Sequence, residues 1–308
     1  MITINELQDK WSNITSYVDG FLLVTGEHPL SFHIGYNGGQ KCFIVLATGY
    51  IEKLTSSKAI SVTCVKTNDG QYAISFTLNY PTLDEIFVKL CWDLIDSSKS
   101  SQTPVAQILK QYSSWLKLLH QVSIDLLPST LQKGLIGELL YLAISIEKYG
   151  EDDALNAWVG PEGNDQDFIF VDYWAEIKAT TIASDKVTIS SLQQLDRPQN
   201  GFLVVYFMDK TTDGSNNITL PGAVNKIKAM IINSGNKDKL ECKLAKCGYF
   251  HKDSLRYGEF KFHLAEKRTY CVDNTFPCLN RNNVATAIVS VKYNISLAAI
   301  DNYKITGG

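Results

Sequence analysis

The sequence predicts an α/β (α+β) protein: a central mixed sheet flanked by helices, preceded by an N-terminal antiparallel β-rich module and followed by a C-terminal α+β extension. Three observations carry this reading. Residues 20–79 alternate apolar and polar positions with period two, residues 82–120 and 129–146 switch to helical spacing, and residues 129–208 run helix, three strands, helix, strand. At 308 residues the chain is near the size where one hydrophobic core stops growing. The expected division is 1–98 for the β-rich module with its flanking helices, 99–128 for a connecting helix, 129–208 for the core and 209–308 for the extension.

Leu7, Trp11, Ile14 and Val18 have helical spacing and open the chain. The runs GFLLVTG, LSFHIGY, CFIVLAT, AISVTCV and QYAISFTLN then read as a five-strand antiparallel meander. Asn37-Gly38-Gly39 and Asp69-Gly70 supply the positive φ that tight hairpins need. Thr82-x-x-Glu85 has the form of a capping box opening a helix through Ile86, Phe87, Leu90 and Leu94. Asp96–Thr103 reads as a linker, and Pro104 starts a second helix ending near His120.

Ser129-x-x-Gln132 is another expected capping box, and its helix aligns Leu131, Leu135, Leu139, Leu142 and Ile146 on one face. A loop is expected over 150–166, followed by strands DFIF, WAEIKAT and KVTI, a short SSLQQL helix and the apolar strand FLVVYFM. Beyond 208 the pattern predicts helices starting at Pro221 and ending at Gly248, with strands EFKFHL, RTYCV and ATAIVSVKYNI. Whether these form a separate lobe or extend the central sheet is open at this level.

Composition removes several function classes. Charged residues at 20% against 45% hydrophobic exclude a disordered or low-complexity chain, and a net charge of −3 excludes binding nucleic acid by bulk charge alone. The longest apolar stretch, Leu135–Ile146, is interrupted by Glu138 and too short for a bilayer, so no membrane role is expected. Seven cysteines without a close CxxC pair, behind the opening MITINELQDKW, point to free, mostly buried thiols and a reducing, cytoplasmic location. No GxxxxGK[ST], GxSxG or HExxH sequence occurs.

The chemistry concentrates in Glu138, Asp167, Glu176 and Lys178. On one strand Glu176 and Lys178 share a face while Ala175 and Ile177 take the other. A turn near Asp172-Tyr173 would fold Asp167 back beside Glu176, at an edge-exposed position. Two carboxylates beside one ammonium suit a hard divalent cation and a phosphodiester: Mg²⁺, with Mn²⁺ as substitute, as cofactor, and nucleic acid as substrate. Residues 147–176 hold nine acidic residues against one lysine, whereas 226–268 hold eleven Lys/Arg against five Asp/Glu, so a C-terminal basic face is expected to hold phosphates.

The spacing Asp167-x8-Glu176-x-Lys178, preceded by GLIGELL and followed by VTISSLQQL, resembles the PD-(D/E)XK nuclease superfamily of restriction endonucleases and Holliday-junction resolvases. It is most similar to the bacterial PD-(D/E)XK motif proteins found near restriction and phage-defence genes. The resemblance implies a restriction-endonuclease-like core over 129–208 and a Mg²⁺-dependent, type II restriction-like endodeoxyribonuclease. It also implies DNA as partner, alongside a homodimer or other restriction-system subunits. Asp167, Glu176 and Glu138 would be the metal ligands, Lys178 would contact the scissile phosphate or attacking water, and Gln194 would match a glutamine of the second core helix. Gln166 stands where the eponymous proline is expected.

Blander readings stand beside these. The same fold could hold DNA or a partner subunit without turnover, and the trio could be a structural ion pair on a strand. Cys242, Cys247, His251, His263, Cys271 and Cys278 match no zinc-finger spacing, and their pattern favours buried thiols. The aromatics Phe21, Phe32, Tyr36, Phe43, Tyr72 and Phe76 read as core rather than as a base-stacking platform.

Overall fold

The computed structural model describes residues 2–14, 20–48, 54–121, 126–212, 217–250 and 253–305, with side chains at 117, 118, 120 and 121 left aside. The helical position of Val18, His251 and the side chain of His120 therefore lie outside the described residues. The chain forms two compact units, residues 1–124 with 237–248, and residues 125–236 with 249–308.

In the first unit, helix α1 (Ile4–Ser12) buries Leu7 and Trp11 and is closed by a capping box between Thr3 and Glu6. Five antiparallel strands follow: β1 (Gly20–Leu23), β2 (Ser31–Asn37), β3 (Gln40–Ala47), β4 (Ile60–Lys66) and β5 (Tyr72–Leu78). Gly38 and Gly39, at φ 57° and 78°, form the two-residue β2–β3 turn as expected. The order is β1-β2-β3-β5-β4 rather than that of a meander. Strand β5 buries alternate residues and takes the inner place, while β4, exposed from Thr63 to Lys66, goes to the edge. Phe32, Phe43 and Phe76 are core residues; Phe21 on edge strand β1 is 44% exposed.

Helices α2 (Asp84–Ser98) and α3 (Pro104–Gln121) pack together. The capping box expected at Thr82 does not form: Pro81–Leu83 makes a 3₁₀ turn first. Glu85 instead pairs with Lys89 at 2.8 Å, and Asp84 with Lys41 at 2.7 Å.

The second unit opens with α4 (Ser129–Tyr149), whose first helical residue is Ser129 itself. The second expected capping box is therefore also absent, and the Gln132 amide donates to the Leu127 carbonyl at 2.8 Å. Leu135, Leu139, Leu142 and Ile146 are buried, but Leu131 is 57% exposed because it lies in the first turn, off the packed stripe. The expected loop contains helix α5 (Glu151–Ala157), with Glu151, Asp152 and Asp153 at its N-terminus, where the helix dipole favours negative charge.

Strands β6 (Phe168–Ile169), β7 (Trp174–Thr180), β9 (Gly201–Lys210), β10 (Asn217–Ile218) and β11 (Phe262–Val272) form a mixed sheet in the order β10-β11-β9-β7-β6. Only β7 and β9 run parallel. Strand β11 thus joins the C-terminal segment to the central sheet. KVTI is the expected strand β8 (Lys186–Ile189), but it leaves the sheet to pair with β12 (Tyr293–Ser296). Its alternating burial leaves one face wet, which suits a two-stranded ribbon better than a central position. SSLQQL forms only a 3₁₀ turn, Gln193–Leu195, because Pro198 follows too soon for an α-helix to grow.

Helix α4 covers one sheet face, where Gly137 lets its backbone approach Tyr206, Ile177 and Ala179. Gly134 makes no such approach. On the other face Trp174, Leu203, Val205 and Phe207 form a core with Val187, Ile189 and Ile295 from the ribbon. The remaining helices are α6 (Leu220–Met230), N-capped by the Thr219 hydroxyl, α7 (Ser234–Lys246) and α8 (Ser254–Tyr257). Among the described residues no helix is long and apolar enough to cross a membrane.

Gly201 pairs with Trp174 across the parallel β7–β9 ladder, and a Cβ there would lie 2.1 Å from the buried indole. The ring cannot retreat, since its Nε1 donates to the Gln199 carbonyl at 2.8 Å. Gly201→Ala is expected to destabilise the second unit by about 1–3 kcal/mol, the usual range for overpacking. A lowered urea midpoint at unchanged slope is the readout, and an unchanged midpoint would contradict the packing argument.

Candidate active site

The β6–β7 hairpin turns where Phe170 N donates to the Tyr173 carbonyl at 2.8 Å. Its register, Phe168 opposite Ala175, puts Asp167 next in line opposite Glu176. The backbone ladder stops there, and Asp167 Oδ2 accepts the edge N–H of Ile177 at 2.7 Å. The Asp167 carbonyl is held in turn by Val159 N at 2.9 Å and Gly160 N at 3.0 Å.

Glu176 and Lys178 share a face of β7 as expected, with Glu176 Oε1 2.6 Å from Lys178 Nζ. Glu176 is not edge-exposed: it is 1% exposed, on the same sheet face as Trp174, the face that packs against the β8–β12 ribbon and the C-terminal residues. Its Oε2 is buried without a hydrogen-bond partner. Lys178 Nζ also donates to Gln194 Oε1 at 3.2 Å, an oxygen that accepts Ser190 N at 2.7 Å as well. Gln194 reaches Lys178 from the 3₁₀ turn, without the second core helix. Glu138 comes from α4, and its Oε2 accepts the Trp158 indole N–H at 2.7 Å.

Burial, reinforced by the charge of Asp167, pushes Glu138 up to about 8, against the pull of the Trp158 bond and of Lys178. Burial also raises Asp167 to about 6, although the Ile177 N–H and Lys178 favour its charged form. Glu176 is raised above the ordinary carboxylate range by burial first and then by Asp167, with Lys178 opposing. The five expected residues are thus in one neighbourhood, linked by hydrogen bonds or by charge.

Among the described residues no group of three or more His, Cys, Asp or Glu stands ready as a metal-binding cluster. The donor chemistry nevertheless fits a hard cation, since the bonds above engage one oxygen of each carboxylate and leave Glu176 Oε2 buried and unpartnered. Gly160 keeps space beside the acids: a Cβ would sit 2.9 Å from Asp167 Oδ1 and 3.4 Å from Glu138 Oε2. Trp158 and Gly160 were hidden in sequence by the reading of 150–166 as a loop. The helical spacing of Ala154, Leu155 and Trp158, all buried, was the available signal.

Charge elsewhere is distributed differently from the expectation. Lys237, Lys239, Lys243 and Lys246 belong to the first unit, where Lys246 pairs with Asp93 at 2.8 Å, and Arg268 pairs with Glu266 at 2.6 Å. Lys252 lies outside the described residues. Of the ten described cations in this stretch, four belong to the first unit and six to the second. Part of the acidic excess is structural too: Glu151 accepts Ile232 N and Asn233 N, and Asp152 accepts the Asn236 amide. All seven cysteines are free as expected, but only Cys42, Cys91 and Cys242 are buried; Cys247, Cys271 and Cys278 are partly exposed, and Cys64 on edge strand β4 is exposed.

A family model described as "Putative PD-(D/E)XK family member, (DUF4420)" matches residues 7–298. No curated protein and no solved structure matches the chain.

Raised carboxylates give stability a definite pH slope. Between the ordinary glutamate value of 4.5 and about 8, folded Glu138 retains a proton that the unfolded chain has released, so stability falls as pH rises through this window. The melting temperature without divalent cation is expected to drop by on the order of a few degrees across it, and Glu138→Gln to flatten the slope. A wild-type melting temperature that rises toward pH 8 would refute this.

Proposed function

The chain belongs to the PD-(D/E)XK family, and from this premise we propose that it is a Mg²⁺-dependent endonuclease that hydrolyses DNA phosphodiester bonds in a bacterial restriction or phage-defence system. The observation that carries the reading is that the hairpin register sets Asp167 opposite Glu176, Lys178 contacts Glu176, and one buried Glu176 oxygen is left with no hydrogen-bond partner. Asp167 and Glu176 would hold the cation, with Glu138 as a third carboxylate. Such a cation, when bound, supplies a water of lowered pKa and charge stabilisation at the phosphate. Mn²⁺ is the expected substitute.

The protein's own groups have separable roles in this reading. Lys178 sets a compact positive charge against the phosphate oxygens, and Gln194 orients the ammonium through the 3.2 Å bond. Trp158 fixes the Glu138 carboxylate by donating to one oxygen, leaving the other for the site. Work in the cytoplasm, as a type II-like homodimer or with other subunits of a restriction system, belongs to the same proposal.

One observation favours a second reading, a nuclease fold that binds DNA or assembles a complex without turnover. Glu176 Oε1 is already engaged by Lys178 at 2.6 Å, so the arrangement is also that of a closed ion pair. Incubation with plasmid and phage DNA in Mg²⁺, Mn²⁺ or EDTA separates the two, because only the enzyme gives cation-dependent cuts.

For the enzyme, Lys178→Met is expected to lower turnover by about 10²–10³-fold while Mn²⁺ affinity by calorimetry stays within a few-fold. Lys178→Arg is less informative because it keeps the charge while altering shape. Cleavage by Lys178→Met at the wild-type rate removes the lysine from the mechanism. Asp167→Asn and Glu176→Gln are expected to abolish both cleavage and Mn²⁺ binding with the fold retained, since each keeps the side-chain volume while removing the charge. Amides are the better probes here, because Glu176→Gln keeps a side-chain oxygen that can accept from Lys178 and keeps the buried volume filled, whereas truncation removes both.

A further inference from the structure

Gln166, immediately before Asp167, is 4% exposed, and its whole carboxamide is used. Nε2 donates to the Gln193 carbonyl and, at 3.4 Å, to the Gln194 carbonyl, while Oε1 accepts Arg197 Nη1 at 3.3 Å. These partners are the 3₁₀ turn Gln193–Leu195 and Arg197, two residues beyond it. A single turn of this kind has few internal bonds to hold it, and the one at its end, Asp196 N to the Gln193 carbonyl, is 3.2 Å long. The turn matters because it carries Gln194, whose side-chain oxygen holds Lys178 Nζ.

We infer that Gln166 is a positioning residue that locks this turn to the Asp167 end of the β6–β7 hairpin, so that Asp167 and the Gln194-held Lys178 ammonium are set by one connected frame. The bonds form a circuit. Asp167 Oδ2 holds Ile177 N, the next residue on β7 is Lys178, Lys178 is held by Gln194, and the Gln194 turn is held by the neighbour of Asp167. A proline at 166 could not close it, having no side-chain donor. An α-helix at 193–195 would bring its own backbone bonds; here a side chain replaces them. Burial of an amide with both ends bonded is what such a role requires, since a half-satisfied amide in this position would be costly.

The activity arm of the test rests on the proposed nuclease reading; the spectroscopic arm does not. With lysine labelled by ¹⁵N, exchange of the Lys178 ammonium protons with water is expected to accelerate in Gln166→Leu. The buried ammonium groups of Lys89 and Lys246, which sit in the other unit, serve as unchanged references. In cleavage assays Gln166→Leu is expected to lower kcat about ten- to a hundredfold with KM unchanged. The Gln166→Leu/Gln194→Leu double variant should lose no more than Gln194→Leu alone, because the first residue acts through the second. Should Gln166→Leu fail to fold, Gln166→Glu, which keeps the shape and reverses the donor, is read in the same way. Unchanged Lys178 exchange in a folded variant, or losses that multiply in the double variant, would overturn the inference. Absence of any cation-dependent cleavage by the wild type sinks the nuclease reading, while the ammonium exchange still decides the role of Gln166.

Discussion

Three carboxylates share a neighbourhood with the Lys178 ammonium, and burial raises the pKa of all three. Like charges in a low-dielectric setting are tolerated only when each is given donors or a proton. Much of the second unit answers that requirement. Trp158 donates to Glu138 from the end of α5, Ile177 N to Asp167 from the unpaired edge of β7, and Lys178 to Glu176 from two residues along the same strand. The hairpin register, the short β6 strand and the early end of its ladder are what make these three donations geometrically compatible.

The first unit solves a related problem with more cations. Lys89 lies between Glu85 and Glu241, and Asp93 takes bonds from Gln111 and Trp115 as well as the ion pair with Lys246. Each charge in this network has an opposite partner within 3.0 Å, and Asp93 has two further donors, which is the condition under which buried ions persist. The contrast is informative. In the first unit each of these acids meets a cation of its own or shares one, whereas around Glu176 three acids meet Lys178 and one buried Glu176 oxygen is left without a donor.

What could be read from sequence was whatever depends on neighbours along the chain. Period two gave the five N-terminal strands and the Gly38-Gly39 turn, and alternation on one strand gave the common face of Glu176 and Lys178. Side-chain partners far along the chain were not legible. Nothing local says that β5 displaces β4 from the strand β3, that KVTI prefers YNIS to the main sheet, or that residues 237–248 belong with the first unit. The two capping-box patterns failed for a reason of the same kind: Glu85 and Gln132 found partners other than the helix start. Gln194 was placed by resemblance to a helix, and its bond to Lys178 survives the reduction of that helix to one turn.

An ion pair retained only for stability would have no use for a second and a third acid. Removing Asp167 and Glu138 would relieve the repulsion that helps to raise Glu176, and Lys178 would still be neutralised by the partner 2.6 Å away. The surrounding structure does the opposite. It spends an indole N–H on Glu138 and leaves Gly160 without a side chain next to the Asp167 and Glu138 oxygens. Such frustration lowers stability, and it is the pattern expected where the groups are arranged for something other than the resting fold. A doubly charged cation is the kind of ligand that would turn that repulsion into attraction, which is the physical reason for preferring the metal-dependent reading to the closed ion pair.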